Sequence, residues 1–106
     1  MKITTWNVAG LRAMIKKNGW DWIESYDPDV ICLQEIKALP EQIAKADRQL
    51  FEPYHACWNP AEKKGYSGTM THTKDHSIPL STGLGVDRFD HEGRTIQAEF
   101  ENFTLF

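Results

Sequence analysis

Polar and apolar residues alternate from Lys2 to Val8, with Ile3 and Thr5 set against Thr4 and Trp6. A two-residue period in β-forming side chains predicts a strand, which Gly10 then breaks. From Leu11 to about Tyr26 the period lengthens. Leu11, Met14, Ile15, Trp22 and Ile23 fall at helical spacing, with Asn18-Gly19 as an interruption. Asp27-Pro28-Asp29 reads as a turn. Val30-Ile31-Cys32-Leu33 is a continuous apolar run of the kind found in strands covered on both faces, and Gln34 and Glu35 end it.

Further along, Leu39 to about Gln49 is expected to form a second helix with Pro40 near its first turn. Tyr54–Trp58, Tyr66–Thr73 and Gly93–Phe100 read as short strands, and Asn102–Phe106 as the start of another. No repeat, low-complexity stretch or linker divides the chain, so residues 1–106 are expected to form one α/β domain.

Strand, helix and strand within about 30 residues make a βαβ unit, whose strands run parallel with a right-handed crossover. Paired side by side, they bring their C-terminal ends to one edge, where α/β folds commonly meet their ligands. Asn7 closes the first strand and Glu35 the second. An amide carbonyl and a carboxylate are hard oxygen donors suited to Mg²⁺, which takes few protein ligands and keeps waters and substrate phosphate. Such an ion can polarise a phosphoryl oxygen and steady a leaving alkoxide. From spacing alone, an Asn in a turn and a solvated Glu are the simpler account of the pair.

Composition narrows the picture only a little. The 106 residues are 41% hydrophobic and 25% charged, ordinary for a globular protein, and the formal net charge is −3. That balance counts against a general nucleic-acid coat held by bulk charge, though not against a few cations placed locally. Cys32 and Cys57 lack CxxC spacing, so neither a disulfide framework nor a zinc site is implied, and Cys32 within its apolar run reads as a buried free thiol. This suits a reducing cytosol. The N-terminus carries no signal-peptide pattern and no stretch is long enough to span a membrane, so a cytoplasmic location is expected.

The residues themselves carry more. Trp6-Asn7-Val8-Ala9-Gly10-Leu11-Arg12-Ala13, then Asp29-Val30-Ile31-Cys32-Leu33-Gln34-Glu35-Ile36-Lys37, then Ala61-Glu62-Lys63-Lys64-Gly65-Tyr66-Ser67-Gly68 resemble three consecutive signatures of the exonuclease III / AP endonuclease family. Phe89-Asp90-His91-Glu92-Gly93-Arg94 resembles a fourth, weaker one. They occur in the family's order and cover essentially the whole chain. The resemblance implies the N-terminal half of a four-layer, DNase I-like α/β sandwich, with one mixed sheet bearing helices on one face.

It also implies roles. Asn7, Glu35 and Lys37 would be catalytic, with Glu35 and Asn7 at a Mg²⁺ (or Mn²⁺) site and Lys37 bracing it. Arg12, Ala13 and Lys16 would meet the DNA backbone, and Gly65-Tyr66 would approach the DNA beside the lesion. For the Lys16/Lys17 and Lys63/Lys64 pairs a solvated basic face is the competing account. The expected partner is double-stranded DNA with abasic or damaged 3′ sites, and no membrane. The family's second half supplies a catalytic Tyr, an Asp-x-Asn pair and an Asp-His pair, none of which is found here, so the chain alone is expected to lack turnover. A non-catalytic remnant, or a fragment that binds DNA or pairs with a second half, is the alternative.

Two departures from the family pattern stand out. Ala9 replaces a polar residue near the metal. Thr69-Met70-Thr71-His72-Thr73 is far more polar than a core strand, and His72 and His76 are read as loop histidines. Half a sandwich is also expected to expose a large apolar sheet face with open edges, prone to self-association.

Overall fold

The computed structural model describes residues 1–106. Strand β1 (Ile3–Asn7) leads through a tight turn into helix α1 (Leu11–Lys16), which stops where Asn18 enters the left-handed region at φ 61°. Helix α2 (Gly19–Tyr26) restarts there, so the Asn18-Gly19 interruption is real. Asp27, again left-handed, ends α2 by donating its N–H to the Ile23 carbonyl at 3.0 Å, and Pro28 bars continuation. Both helices bury one face only: Leu11 and Met14 from α1, Trp20 and Ile23 from α2.

Strand β2 (Val30–Gln34) returns parallel to β1, with Ile3 opposite Val30 and Asn7 opposite Gln34. Strand β3 (His55–Asn59) and strand β4 (Thr69–Thr73) complete a mixed sheet in the order β1-β2-β4-β3. The βαβ reading of the first third of the chain therefore holds. No helix is long and apolar enough to cross a membrane.

Four expectations need correction. Leu39–Gln49 is not one helix. A 3₁₀ turn at Pro40–Gln42 gives way to extended backbone at Ile43, followed by the single-turn helix α3 (Lys45–Arg48) and a second 3₁₀ turn at Gln49–Phe51. Ile43 and Phe51 are the buried anchors of this stretch, and between them Ala44 to Gln49 offers no apolar stripe to dock a longer helix. The strand expected from Tyr66 begins only at Thr69, because Gly65 to Gly68 form a loop in which Gly65, Ser67 and Gly68 adopt positive φ.

The third correction concerns His72, which is not a loop residue. It lies within β4, fully buried, while His76 lies exposed in the following turn. On the helix-bearing face of the sheet, Ile31, Leu33, Met70 and His72 pack with Trp20, Ile23, Phe51 and Tyr54. Trp20, Phe51 and Tyr54 present their rings to His72 at centroid distances of 5.4, 5.1 and 5.9 Å.

The opposite face is not the apolar patch that half a sandwich suggested. Cross-strand register lays Thr5, Cys32, Thr71 and Cys57 in one row, flanked by the row Asn7, Gln34, Thr69, Asn59. Ile3 and Val30 are its aliphatic members, in the third row. Cys32 and Cys57 are half-buried free thiols, both pushed up in pKa by burial. β1 and β3 do stand at the outer edges of this sheet.

Beside it lies a second, antiparallel sheet. Strand β5 (Leu80–Thr82) and strand β7 (Thr104–Leu105) flank strand β6 (Ile96–Glu99), and the single-turn helix α4 (Asp87–Asp90) sits in the β5–β6 connection. Neither β5 nor α4 was expected from the sequence. Asn59 joins the sheets by donating from Nδ2 to the Thr95 carbonyl at 2.8 Å. Gly93 is essential to that contact. It is left-handed at φ 61°, and a Cβ there would stand 2.2 Å from the Asn59 carbonyl oxygen.

Candidate active site

The parallel register of β1 and β2 carries Asn7 and Glu35 to the same edge, as the strand ends required. Main-chain hydrogen bonds lock the turns around them. Gly10 and Leu11 donate to the carbonyls of Glu35 and Ile36 at 2.8 and 2.9 Å, while Ile36 and Lys37 donate to Gly68 and Ser67 at 3.1 and 2.9 Å. Three segments distant in sequence are thereby fixed to one another. The fit is close: at Gly68, φ 89°, a Cβ would come within 2.8 Å of Ile36 Cγ1. Ala9, Glu35, Lys37 and Ser67 all adopt positive φ, a concentration of unfavourable backbone typical of functional loops.

Within this frame Asn7 makes two hydrogen bonds. Its Oδ1 accepts from the Ala9 N–H at 3.1 Å, and its Nδ2 donates to Glu35 Oε2. Ala9 thus acts through its backbone, by turning the Asn7 amide toward Glu35. The Lys37 ammonium lies 3.7 Å from Glu35 Oε1. The hydrogen bond from Asn7 holds the Glu35 carboxyl below its ordinary pKa, and Lys37 and then Arg94 add to the effect. Glu35 is therefore ionised at neutral pH while half its surface faces solvent.

These groups open on a cavity of about 420 Å³ lined by Asn7, Gln34, Glu35, Lys37, Gly65, Tyr66, Ser67, Gly68, Thr69 and Arg94. It brings together five residues that the sequence nominated: Asn7, Glu35, Lys37, Gly65 and Tyr66. Arg12, Ala13 and Lys16 do not line it. They are exposed on α1, with Arg12 reaching the Lys37 carbonyl at 3.5 Å, so they flank the cavity from the helix side. Ala13 instead borders a separate, largely apolar recess with Trp6, Val8 and Met14.

Arg94 is the residue that sequence reasoning missed. It occurs in the Phe89–Arg94 stretch, but nothing in local spacing shows that β6's approach brings it to the β1–β2 edge. Its Nε donates to Glu92 Oε2 at 2.6 Å and its Nη2 to the Tyr66 hydroxyl at 2.8 Å. Lys63 lies over the Tyr66 ring, with Nζ 5.3 Å from the centroid.

Residues 4–106 match the model of the Endonuclease/Exonuclease/phosphatase family. The chain belongs to this family, in its exonuclease III / AP endonuclease branch. It is 44% identical over 106 residues to the DNA repair nuclease APEX1 of Danio rerio, covering 99% of this chain and 34% of that protein. It is 46% identical over 103 residues to an exodeoxyribonuclease of Bacillus subtilis (strain 168), covering 96% and 39%.

Among solved structures, an AP endonuclease from Archaeoglobus fulgidus superposes with a TM-score of 0.75 at 26% identity over 98% of this chain and 38% of that one. The AP endonuclease LMAP of Leishmania major gives 0.69 at 33% identity, over 92% and 34%. The α/β, DNase I-like fold expected from the motifs is thereby shown. The chain spans between 34% and 39% of the length of these two curated relatives. At the joined ends of its first two strands it carries Asn7, Glu35 and Lys37 side by side.

Proposed function

We propose that residues 1–106 form the Asn7/Glu35 portion of a metal-dependent DNA-repair nuclease that hydrolyses phosphodiesters at abasic sites or damaged 3′ ends. The observation that carries this reading is the Asn7–Glu35–Lys37 cluster, with the Glu35 carboxyl held below its ordinary pKa, at the joined ends of β1 and β2 beside an open polar cavity. Kinship to DNA-repair nucleases and exodeoxyribonucleases supports DNA as the substrate.

The donor set fits a hard divalent cation. A single exposed carboxylate, oriented by the Asn7 Nδ2–H, matches the sparse protein ligation of Mg²⁺, and Mn²⁺ tolerates the same donor. Glu35 would hold the ion, with Asn7 orienting the carboxylate through its amide. When bound, the ion supplies charge neutralisation on the phosphoryl oxygens and a path for the leaving alkoxide. The Asn7 hydrogen bond, and after it Lys37, hold the Glu35 carboxyl below its ordinary pKa. Tyr66, standing on the Gly65 loop and 37% exposed, offers a flat face to a sugar or groove. Arg12 and Lys16 on α1 suit phosphate contacts that set orientation without reading sequence.

The titratable side chains lining the cavity are Glu35, Lys37, Tyr66 and Arg94. Glu35 is committed to Asn7 and Lys37, which leaves no carboxylate or imidazole there to activate water. The isolated chain is therefore expected to bind an abasic-site duplex without turnover. The unpaired outer edge of β1 favours a second reading, a fragment completed by further strands. Free Cys32 and Cys57 suit a reducing compartment, and on that ground we assign the chain to the cytoplasm.

The test is a labelled abasic-site duplex incubated with the purified chain in Mg²⁺ or EDTA, read for binding and incision. Binding that weakens in EDTA and in Glu35→Ala, with no product, is the expected result. Mg²⁺-dependent incision lost in Glu35→Ala would show that the site is catalytically complete. Absence of any binding by a folded sample would overturn the reading.

A further inference from the structure

We propose that Arg94 is a phosphate-binding residue of this site and that Glu92 is the positioning residue that sets it; the DNA part of this inference rests on the function proposed above. A guanidinium carries five N–H donors. One goes to Glu92 and one to the Tyr66 hydroxyl. Three remain, on a side chain that lines the same cavity as Asn7 and Glu35. Free donors of this kind match the oxygens of a phosphate in a forked, two-bond geometry that an ammonium cannot reproduce.

The charge arrangement selects for an anion. Inside the cavity the Glu35 carboxylate is answered by Lys37 at 3.7 Å, so Arg94 supplies the remaining positive charge. Its own counter-ion, Glu92, does not line that cavity. Glu92 lies in the adjoining recess with Leu84, Arg88, Phe89 and Thr95, which Arg94 also borders. Arg94 therefore borders two cavities, and its Nε is held by Glu92, which lines only one of them. Buried Gly93 pins the backbone just before it against the end of β3, so the anchor is rigid at its base.

The Tyr66 contact couples this cation to the Gly65 loop. The phenol accepts from Arg94 at 2.8 Å and points toward Glu92 Oε2 at 3.4 Å, while Lys63 and Arg94 lie over the ring at 5.3 and 5.9 Å. A phosphate drawn to Arg94 would thus lie next to the aromatic face that suits a sugar. An electrostatic clamp and a steric platform are built from one network.

The first arm of the test needs no DNA. Inorganic phosphate is titrated into the ¹⁵N-labelled chain while the arginine Nε–H resonances are followed, with Arg94 assigned by its loss in Arg94→Lys. A saturable shift of the Arg94 signal is expected, weakened severalfold in Glu92→Gln and unchanged in Arg48→Ala, on exposed α3 away from the cavity. No shift at Arg94 in a chain with a well-dispersed spectrum would overturn the proposal, as would an equal response in Glu92→Gln.

The second arm measures binding to an abasic-site duplex across salt concentrations. Arg94→Gln is expected to lower affinity about tenfold and to reduce the slope of log K against log salt by about one. Arg48→Gln, which removes an exposed cation on α3 away from the cavity, should leave that slope unchanged. A loss of affinity in Arg94→Gln with an unaltered slope would mean that Arg94 acts only through Tyr66, overturning its phosphate role. Phosphate binding at Arg94 in a chain that ignores DNA would sink the DNA reading and leave the phosphate site standing.

Discussion

The aromatic floor of the four-stranded sheet and the polar edge of the same sheet obey opposite rules. At the floor, His72 is fully buried among Trp20, Phe51 and Tyr54, and neither of its ring nitrogens has a hydrogen-bond partner. The indole N–H of Trp20 is likewise unpaired. At the edge, Asn7, Glu35, Lys37, Tyr66 and Arg94 all have partners, although each is open to solvent. Unpaired polar groups are costly inside and cheap outside, so this protein places its misfit where it costs most. The site gains preorganisation at little expense to the fold, while the core carries a polar ring in the midst of apolar packing.

That contrast is sharpest at His72. Burial pushes its pKa down to about 3 from an ordinary value of 6.5, because the charged form has no water and no counter-ion. Between those two values the unfolded chain binds a proton that the folded chain refuses. Stability is therefore full above pH 6.5 and falls as pH drops through the window, by about 1.4 kcal/mol per pH unit. His72→Leu should remove that slope in urea melts and add about 1–3 kcal/mol at neutral pH. An unchanged slope would mean that the ring finds a partner in solution.

A smaller effect is expected at the opposite end of the strands, where the charges satisfy one another. Lys74 lies 2.5 Å from Asp27, and the Lys2 N–H donates to Asp29 Oδ2 at 2.7 Å. These groups are exposed, so Asp27→Asn should lower the melting midpoint only slightly, and 1 M salt should erase the difference from the parent chain. A large, salt-resistant loss would show that this end is as tightly built as the core. The smallest change in stability belongs to the site itself. Glu35→Gln should leave the melting midpoint in place while weakening Mg²⁺-dependent DNA binding. If it unfolded the chain, the edge would be part of the scaffold and the contrast would fail.

Legibility in the sequence follows the same division. β1, α1, α2 and β2 were readable because each has a clean period or an unbroken apolar run and a hard stop: Gly10, Asn18, Asp27-Pro28 and Glu35. Those stops also placed Asn7 and Glu35 at one sheet edge, so the centre of the candidate site came with the topology. Leu39–Gln49 misled because helix-forming residues there lack an apolar stripe, and Ile43 and Phe51 bend the chain to reach the core. His72 misled in the opposite sense, since a polar residue in a polar stretch gave no hint of full burial. β5 and α4 are too short and too close to Gly83 and Gly85 to show a period. Arg94 depends on how two sheets meet, which no local pattern encodes.

That meeting point has a consequence for the reach of mutation. The contact between Gly93 and the Asn59 carbonyl leaves no room for a single added carbon. Any other residue at position 93 would act as a shim between the sheets, displacing the neighbouring arginine by as much as the thickness of a methyl group. The position thus behaves as a gauge block: a substitution well outside the cavity would alter the width of its mouth, and the site would lose its fit with all its side chains intact.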